Sequence, residues 1–235
     1  MNDLTENYSN AGEAPVGAAD AASRGYRLSD KLVLLSGSGS IAAESISTLL
    51  SQLLSQHVQD YRRAIAFCSA TPDTGCTFMA ANVAVGMARA GVKTLLVDGN
   101  LRDPAIDQYI APAEDRGGLL QCLQHDDIDV ADIIHHDVIP NLSVLYSGGT
   151  TQSSGLLAST RFKSLIATCM RDFDLTIMDT PPANRSSDAQ RLANILRYTL
   201  IVVRKDKSYL SDVRKLVGDL QANRAQIVGT YLNDF

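Results

Sequence analysis

No stretch of the chain approaches the roughly 20 consecutive apolar residues that a membrane-crossing helix needs. The N-terminus also lacks the basic-then-apolar order of a secretory signal. Both absences lead to the expectation of a cytoplasmic protein without direct membrane insertion. Basic charge is scarce as well: 21 Lys and Arg against 26 Asp and Glu leave a formal net charge of -5. That balance argues against broad electrostatic attachment to nucleic acid or to an anionic membrane. The four cysteines, Cys68, Cys76, Cys122 and Cys169, show no paired metal-ligand spacing, and in a reducing compartment they read as free thiols. Residues 1–25 have almost no large apolar side chains. Such a segment cannot offset the entropy of ordering, so it is expected to be a disordered tail ahead of one domain at 26–235.

What remains is long enough, and at 45% hydrophobic apolar enough, for a single α/β domain with a full core. Leu32 to Leu35 reads as a strand or docking segment before a flexible SGSGS stretch at 36–40. Ile46, Leu49, Leu50, Leu53, Leu54 and Val58 fall at helical spacing and form one apolar stripe, read as a helix packed on the domain. Apolar strands follow at 92–98, 142–146, 174–179, 198–204 and 226–232, alternating with helices at 77–90, 117–124, 130–136, 159–171, 187–196 and 208–223. This alternation specifies a doubly wound, mostly parallel sheet, whose ligands bind at the carboxyl ends of the strands. Two strands end there in acids, Asp98 and Asp179.

The segment that organises the rest is AIAFCSATPDTGCT at 64–77, an apolar run feeding a turn that opens a helix. Ala70, Gly75 and Thr77 fit a phosphate-binding loop, in which backbone N–H groups and a helix N-terminus surround an anion while a Ser/Thr hydroxyl binds magnesium. The usual lysine is missing: its slot holds Cys76. A thiol is neutral or anionic, and a helix N-terminus is expected to lower its pKa. Asp73 adds a carboxylate to the same turn. Losing one charge-assisted hydrogen bond weakens binding by about 1.5–3 kcal/mol, whereas losing transition-state stabilisation slows phosphoryl transfer by about 100-fold or more. Binding is therefore expected to outlive catalysis.

With its second motif, LLVDGNLRDP at 95–104, its third, FDLTIMDTPP at 173–182, and the GLLAS and Ser187-Asp188-Ala189 segments, the chain resembles the cytoplasmic domain of bacterial tyrosine kinases. These are capsule and exopolysaccharide regulators related to the MinD/ParA P-loop ATPases. The resemblance covers about Leu28 to Asn233. It implies ATP or ADP contacts at Thr74, Gly75, Cys76, Thr77 and Arg102, Mg2+ at Thr77, Asp98 and Asp179, and catalytic roles for Asp98 and Asp179 if the protein is active. It further implies a homo-oligomer, and recruitment to the inner face of the membrane by the cytoplasmic part of a polysaccharide co-polymerase.

The sequence departs from the family pattern at Cys76 and at Asn100, which replaces a second acid. It departs again in the helix motif E-x-x-R-x-x-R, which reads Glu44, Ser47, Leu50, and no tyrosine cluster follows Asn233. The leading expectation is a kinase-like regulator of polysaccharide export with impaired catalysis. The alternatives are an active tyrosine autokinase or ATPase, for which Arg102 is the best substitute cation, and a MinD/ParA-like positioning ATPase. Cys76 has a second reading as a redox-sensing thiol, and Arg102 a second one as the partner of a carboxylate on its own turn. His135 and His136 read as a solvated surface pair, and Tyr231 as a core residue.

Overall fold

The computed structural model describes residues 18–35, 39–152 and 155–234. The chain runs through α1 (Ala18–Ser23), β1 (Arg27–Leu28), α2 (Ile41–Leu53), β2 (Ala64–Cys68), α3 (Cys76–Arg89), β3 (Thr94–Asp98) and β4 (Ile110–Ala111). It continues through α4 (Leu119–Gln124), α5 (Val130–Ile133), β5 (His135–Ile139), β6 (Leu142–Leu145), α6 (Thr160–Asp172) and β7 (Leu175–Asp179). Last come α7 (Asp188–Leu196), β8 (Tyr198–Arg204), α8 (Leu210–Ala222) and β9 (Gln226–Asn233).

Seven strands form one sheet in the order β5-β6-β3-β7-β2-β8-β9. All neighbours are parallel except β5 and β6. The chain moves from β2 to β3 and β6, then returns through β7 and leaves on the other side through β8 and β9. Its direction reverses at β2, and the loop after β2 opens into the crevice where such sheets take their ligands.

Each central strand reads as an unbroken apolar run because both of its faces are covered. Along β2, Ile65 and Phe67 face the layer that holds α2 and α3, while Ala66 and Cys68 face the layer of α6, α7 and α8. Helix α3 starts at Gly75 (φ +86°) and ends before Gly91 (φ +86°), two left-handed positions that suit glycine. Ser40 caps α2 by accepting the Ala43 amide at 3.2 Å, and Ser159 caps α6 by accepting that of Phe162 at 3.1 Å.

Several expectations need correction. Of the tail expected at 1–25, residues 1–17 lie outside the described residues, but Ala18–Ser23 is helical with Ala21 buried, so the ordered chain begins before residue 26. Leu32 to Leu35 is a turn that buries Leu32 and Leu35 rather than a strand. Residues 36–38 of the SGSGS stretch lie outside the described residues. The helix expected at 130–136 ends at Ile133, and His135–Ile139 forms a strand that pairs antiparallel with β6 across the tight turn at Pro140 and Asn141. The two-residue strands β1 and β4 are too short to carry a sequence pattern.

His135 is not a surface residue. It is buried between the edges of Tyr26 and Tyr146, with Nδ1 3.0 Å from the Tyr26 hydroxyl, and burial holds its pKa below the ordinary value. His136 is exposed and stacks on Phe173. Tyr231 is buried as expected, its hydroxyl 2.8 Å from that of Ser45 on α2.

The seam between β3 and β7 tolerates no added bulk. The Gly99 amide donates to the Asp179 carbonyl at 3.0 Å, and a Cβ at Gly99 would lie 2.7 Å from that same oxygen. Gly99→Ala should therefore force the two strand ends apart and lower stability by about 1–3 kcal/mol. Urea denaturation checks this, and an unchanged midpoint would contradict it.

Candidate functional site

The loop after β2 folds over the end of the sheet. Asp73 adopts a left-handed conformation (φ +58°), as does Gly75. The Met79 amide donates to the Gly75 carbonyl at 2.9 Å. The helix amides ahead of it, those of Cys76 and Thr77, have no intrahelical acceptor and face the loop. A cavity of about 230 Å³ lies against this turn, lined by Pro72 to Thr77 together with Asn100, Tyr109, Thr180 and Arg185. Asn233, at the end of β9, braces the loop from behind by donating to the Thr74 carbonyl at 3.0 Å.

Thr77 and the two acids come together through the sheet. Asp98 and Asp179 are register partners on adjacent parallel strands, and the Thr77 hydroxyl donates to Asp179 Oδ2 at 2.6 Å. Both carboxyls are buried. Burial, reinforced at Asp98 by the Asp179 charge, raises both above the ordinary carboxylate range. Their surroundings differ. Asp98 is wrapped by backbone: Oδ1 accepts the Asn100 amide at 3.1 Å, and Oδ2 accepts those of Ala105 and Ile106 at 3.0 and 3.1 Å. It lines a neighbouring cavity with Pro104, Tyr146 and Gly148 rather than the one against the loop. Asp179 Oδ1 is buried with no partner.

An unpartnered carboxylate oxygen beside a threonine hydroxyl and a second acid is an all-oxygen donor set of the kind Mg2+ takes, with phosphate and water completing the shell. Among the described residues no cluster of three His, Cys, Asp or Glu side chains is arranged to hold a metal alone. The oxygen set itself fits an ion that arrives with a phosphate ligand. Thr77 and Asp179 would hold it directly, and Asp98 would act beside them. Magnesium bound there would neutralise the paired acids and polarise phosphate oxygens.

Three expectations about charge change. The Cys76 thiol is pushed well above the ordinary thiol range, first by burial and then by the Asp179 carboxylate. The helix N-terminus does not lower it. Cys68, nearby, is pushed up to about 12 by burial. Both are buried free thiols, and thiols in such surroundings are poor redox sensors. Arg102 is directed away from the loop: Nε binds Asp188 Oδ2 at 3.1 Å and Nη1 donates to Gln152 at 2.8 Å. Arg102 thus pairs with a carboxylate, but with Asp188 on another element rather than one on its own turn, and it does not line the loop cavity. The Asp73 charge is compensated, because Lys207 Nζ lies 3.0 Å from Oδ2 and Arg204 donates to its carbonyl at 3.1 Å. Its pKa is lowered chiefly by the Lys207 hydrogen bond.

Asn100 turns its amide onto its own loop, donating to the Asp103 carbonyl at 2.7 Å. Sequence reasoning missed Asn233, Thr180 and Arg185. Thr180 donates to the Phe67 carbonyl at 2.8 Å and fastens the third motif to β2. Position in the TPP motif flags Thr180, Arg185 follows three residues after it, and only the sheet order brings Asn233 to the loop.

The sheet order, the loop and the paired acids define a P-loop NTPase of the MinD/ParA type, and comparison with known proteins agrees. MinD from Pyrococcus furiosus superposes with a TM-score of 0.62 at 25% identity, over 73% of this chain and 71% of that one. The chimerical protein CapA2B2 superposes with a TM-score of 0.80 at 26% identity, over 94% of this chain and 99% of that one. In sequence, tyrosine-protein kinase CpsD of Streptococcus pneumoniae is 30% identical over 178 residues, 74% of this chain and 77% of CpsD. The succinoglycan biosynthesis transport protein ExoP of Rhizobium meliloti is 33% identical over 175 residues, 73% of this chain and 22% of ExoP. The chain belongs to the bacterial tyrosine-protein kinase family. It spans about a quarter of several longer relatives, 22–28% of their length. No protein-family model matches it.

The buried acids make apo stability depend on pH. Their folded pKa values lie above the ordinary carboxylate value of about 4, so the folded state binds more protons than the unfolded chain and stability falls as pH rises through that window. Without magnesium, Asp179→Asn should flatten this slope and stabilise the protein at pH 8 by about 1 kcal/mol or more. Denaturation series from pH 4 to 9 measure it, and identical slopes for the two proteins would rule the assignment out.

Proposed function

We propose that this protein is a kinase-like, nucleotide-binding regulator of capsular or exopolysaccharide assembly in which phosphoryl transfer to tyrosine is impaired. The carrying observation is Cys76: a buried thiol whose pKa is pushed up by burial and by the Asp179 carboxylate occupies the place of the loop's cation. A nucleotide still finds the free amides at the start of α3, the Thr77 hydroxyl and the acids that take magnesium. No fixed ammonium meets the charge that develops on the transferring phosphoryl group, and that deficit falls on the transition state more than on the ground state.

Two further features support the reading. Asn100 is engaged with its own turn and brings no second carboxylate to the metal. On α2, Ser47 donates to the Ala43 carbonyl and Leu50 packs against the core, so the positions expected to carry the arginines of a subunit contact serve the fold instead. Relatives that include ExoP, a succinoglycan biosynthesis transport protein, support polysaccharide export as the setting. The partner is then the cytoplasmic part of a membrane polysaccharide co-polymerase. Among the described residues no helix is long and apolar enough to cross a membrane.

Purified protein with MgATP should show no ATP turnover or phosphotyrosine above an Asp179→Asn control, and Cys76→Lys should tighten ATP binding tenfold or more in titration calorimetry. Brisk tyrosine phosphorylation by the wild type would refute the impairment. Affinity purification from membranes should recover a co-polymerase, and recovery of none would remove the proposed setting.

A further inference from the structure

We propose that Arg185 supplies the positive charge that the phosphate loop itself lacks, and that its ligand is the phosphate tail of a nucleoside di- or triphosphate. This rests on the nucleotide-binding half of the reading above. The other cations around the loop are already engaged. Arg102 is held by Asp188 and Gln152, while Lys207 and Arg204 are held by Asp73. Arg185 lines the loop cavity, and among the described residues its exposed guanidinium has no hydrogen bond or ion pair.

Its backbone is not free to wander. The Arg185 amide donates to the Pro182 carbonyl at 3.0 Å, closing a turn. The two preceding amides, of Ala183 and Asn184, donate to the carbonyls of Ser69 and Ala70 at 2.9 and 3.0 Å. The turn that carries Arg185 is thus fastened to the first residues of the phosphate loop. Asp73 at the loop tip senses the Arg185 charge, yet has Lys207 and Arg204 as partners and does not require Arg185 as a counter-ion.

A second observation points to a ligand in the cavity. Thr74, which also lines it, is 1% exposed, and its hydroxyl has no partner. A buried hydroxyl with no partner, helix amides with no intrahelical acceptor and an unpaired guanidinium gather donors around a cavity that the carboxylates of Asp73 and Asp103 also line, and phosphate oxygens accept from such donors. Arginine suits this role because its planar fork grips phosphate in two-point fashion without needing the loop lysine's position. A cation on a separate, exposed turn secures the ground-state ligand and leaves the lysine's place at the reacting phosphoryl unfilled.

Titration calorimetry with magnesium and AMP, ADP or ATP tests this on wild type, Arg185→Gln, Arg185→Lys and Cys76→Lys, with thermal melting to verify folding. Arg185→Gln should weaken ADP and ATP at least tenfold and AMP much less, Arg185→Lys should retain part of the affinity, and all melting temperatures should agree. Equal ATP affinity in wild type and Arg185→Gln overturns the role of Arg185 and leaves nucleotide binding intact. Binding by Cys76→Lys but not by wild type shows that no residue supplies the charge, and overturns it too. Binding by neither protein refutes the nucleotide site itself, and the proposal with it.

Discussion

The in-register pairing of β3 with β7 seats two carboxyls, Asp98 and Asp179, on neighbouring strands with almost no solvent around either. Two like charges in a poorly solvated place are unfavourable, and each raises the cost of ionising the other. The surrounding structure meets that cost unevenly. Three backbone amides surround Asp98 and draw the chain from Asn100 to Ile106 across the strand end. Asp179 receives the Thr77 hydroxyl on Oδ2, and its Oδ1 is left bare. The first acid thereby shapes a loop, and the second keeps one oxygen without a partner.

Around this pair the positive charge lies outside the phosphate loop rather than within it. Inside the phosphate loop stands a neutral thiol. Outside it, Lys207 and Arg204 clasp Asp73 and hold the tip of the loop in its left-handed turn. Asn233 fastens the following residue from the far end of the sheet. The loop is therefore preorganised by contacts that come from β8, β9 and the turn after β8, elements that never touch a phosphate-binding motif in the sequence. A loop held in shape this way keeps its cavity although the lysine slot is filled by Cys76.

Much of this was readable in the chain. Strands buried on both faces are unbroken apolar runs, so β2, β3, β7 and β8 announced themselves. The hairpin of β5 and β6 was not legible. Its first strand follows the four residues of α5 without a break in hydrophobic pattern, and only the turn at Pro140 and Asn141 distinguishes it. His135 was misjudged for a related reason, because a histidine next to a second histidine and an aspartate reads as surface until Tyr26, more than 100 residues earlier, closes over it.

The order of motifs along the chain by itself determined the family, the parallel sheet, the acids at the strand ends and the missing lysine, since each depends on residue type and local spacing. Which charges face the loop was decided only by the tertiary structure. Arg102 lies four residues from Asp98 in sequence yet turns to Asp188, Cys76 begins a helix yet is held neutral by burial, and Arg185, far from the loop in the chain, is fastened beside it. Charge placement depends on which side chains the folded sheet brings within a few ångströms and on how much water it excludes, and neither quantity is a property of sequence spacing.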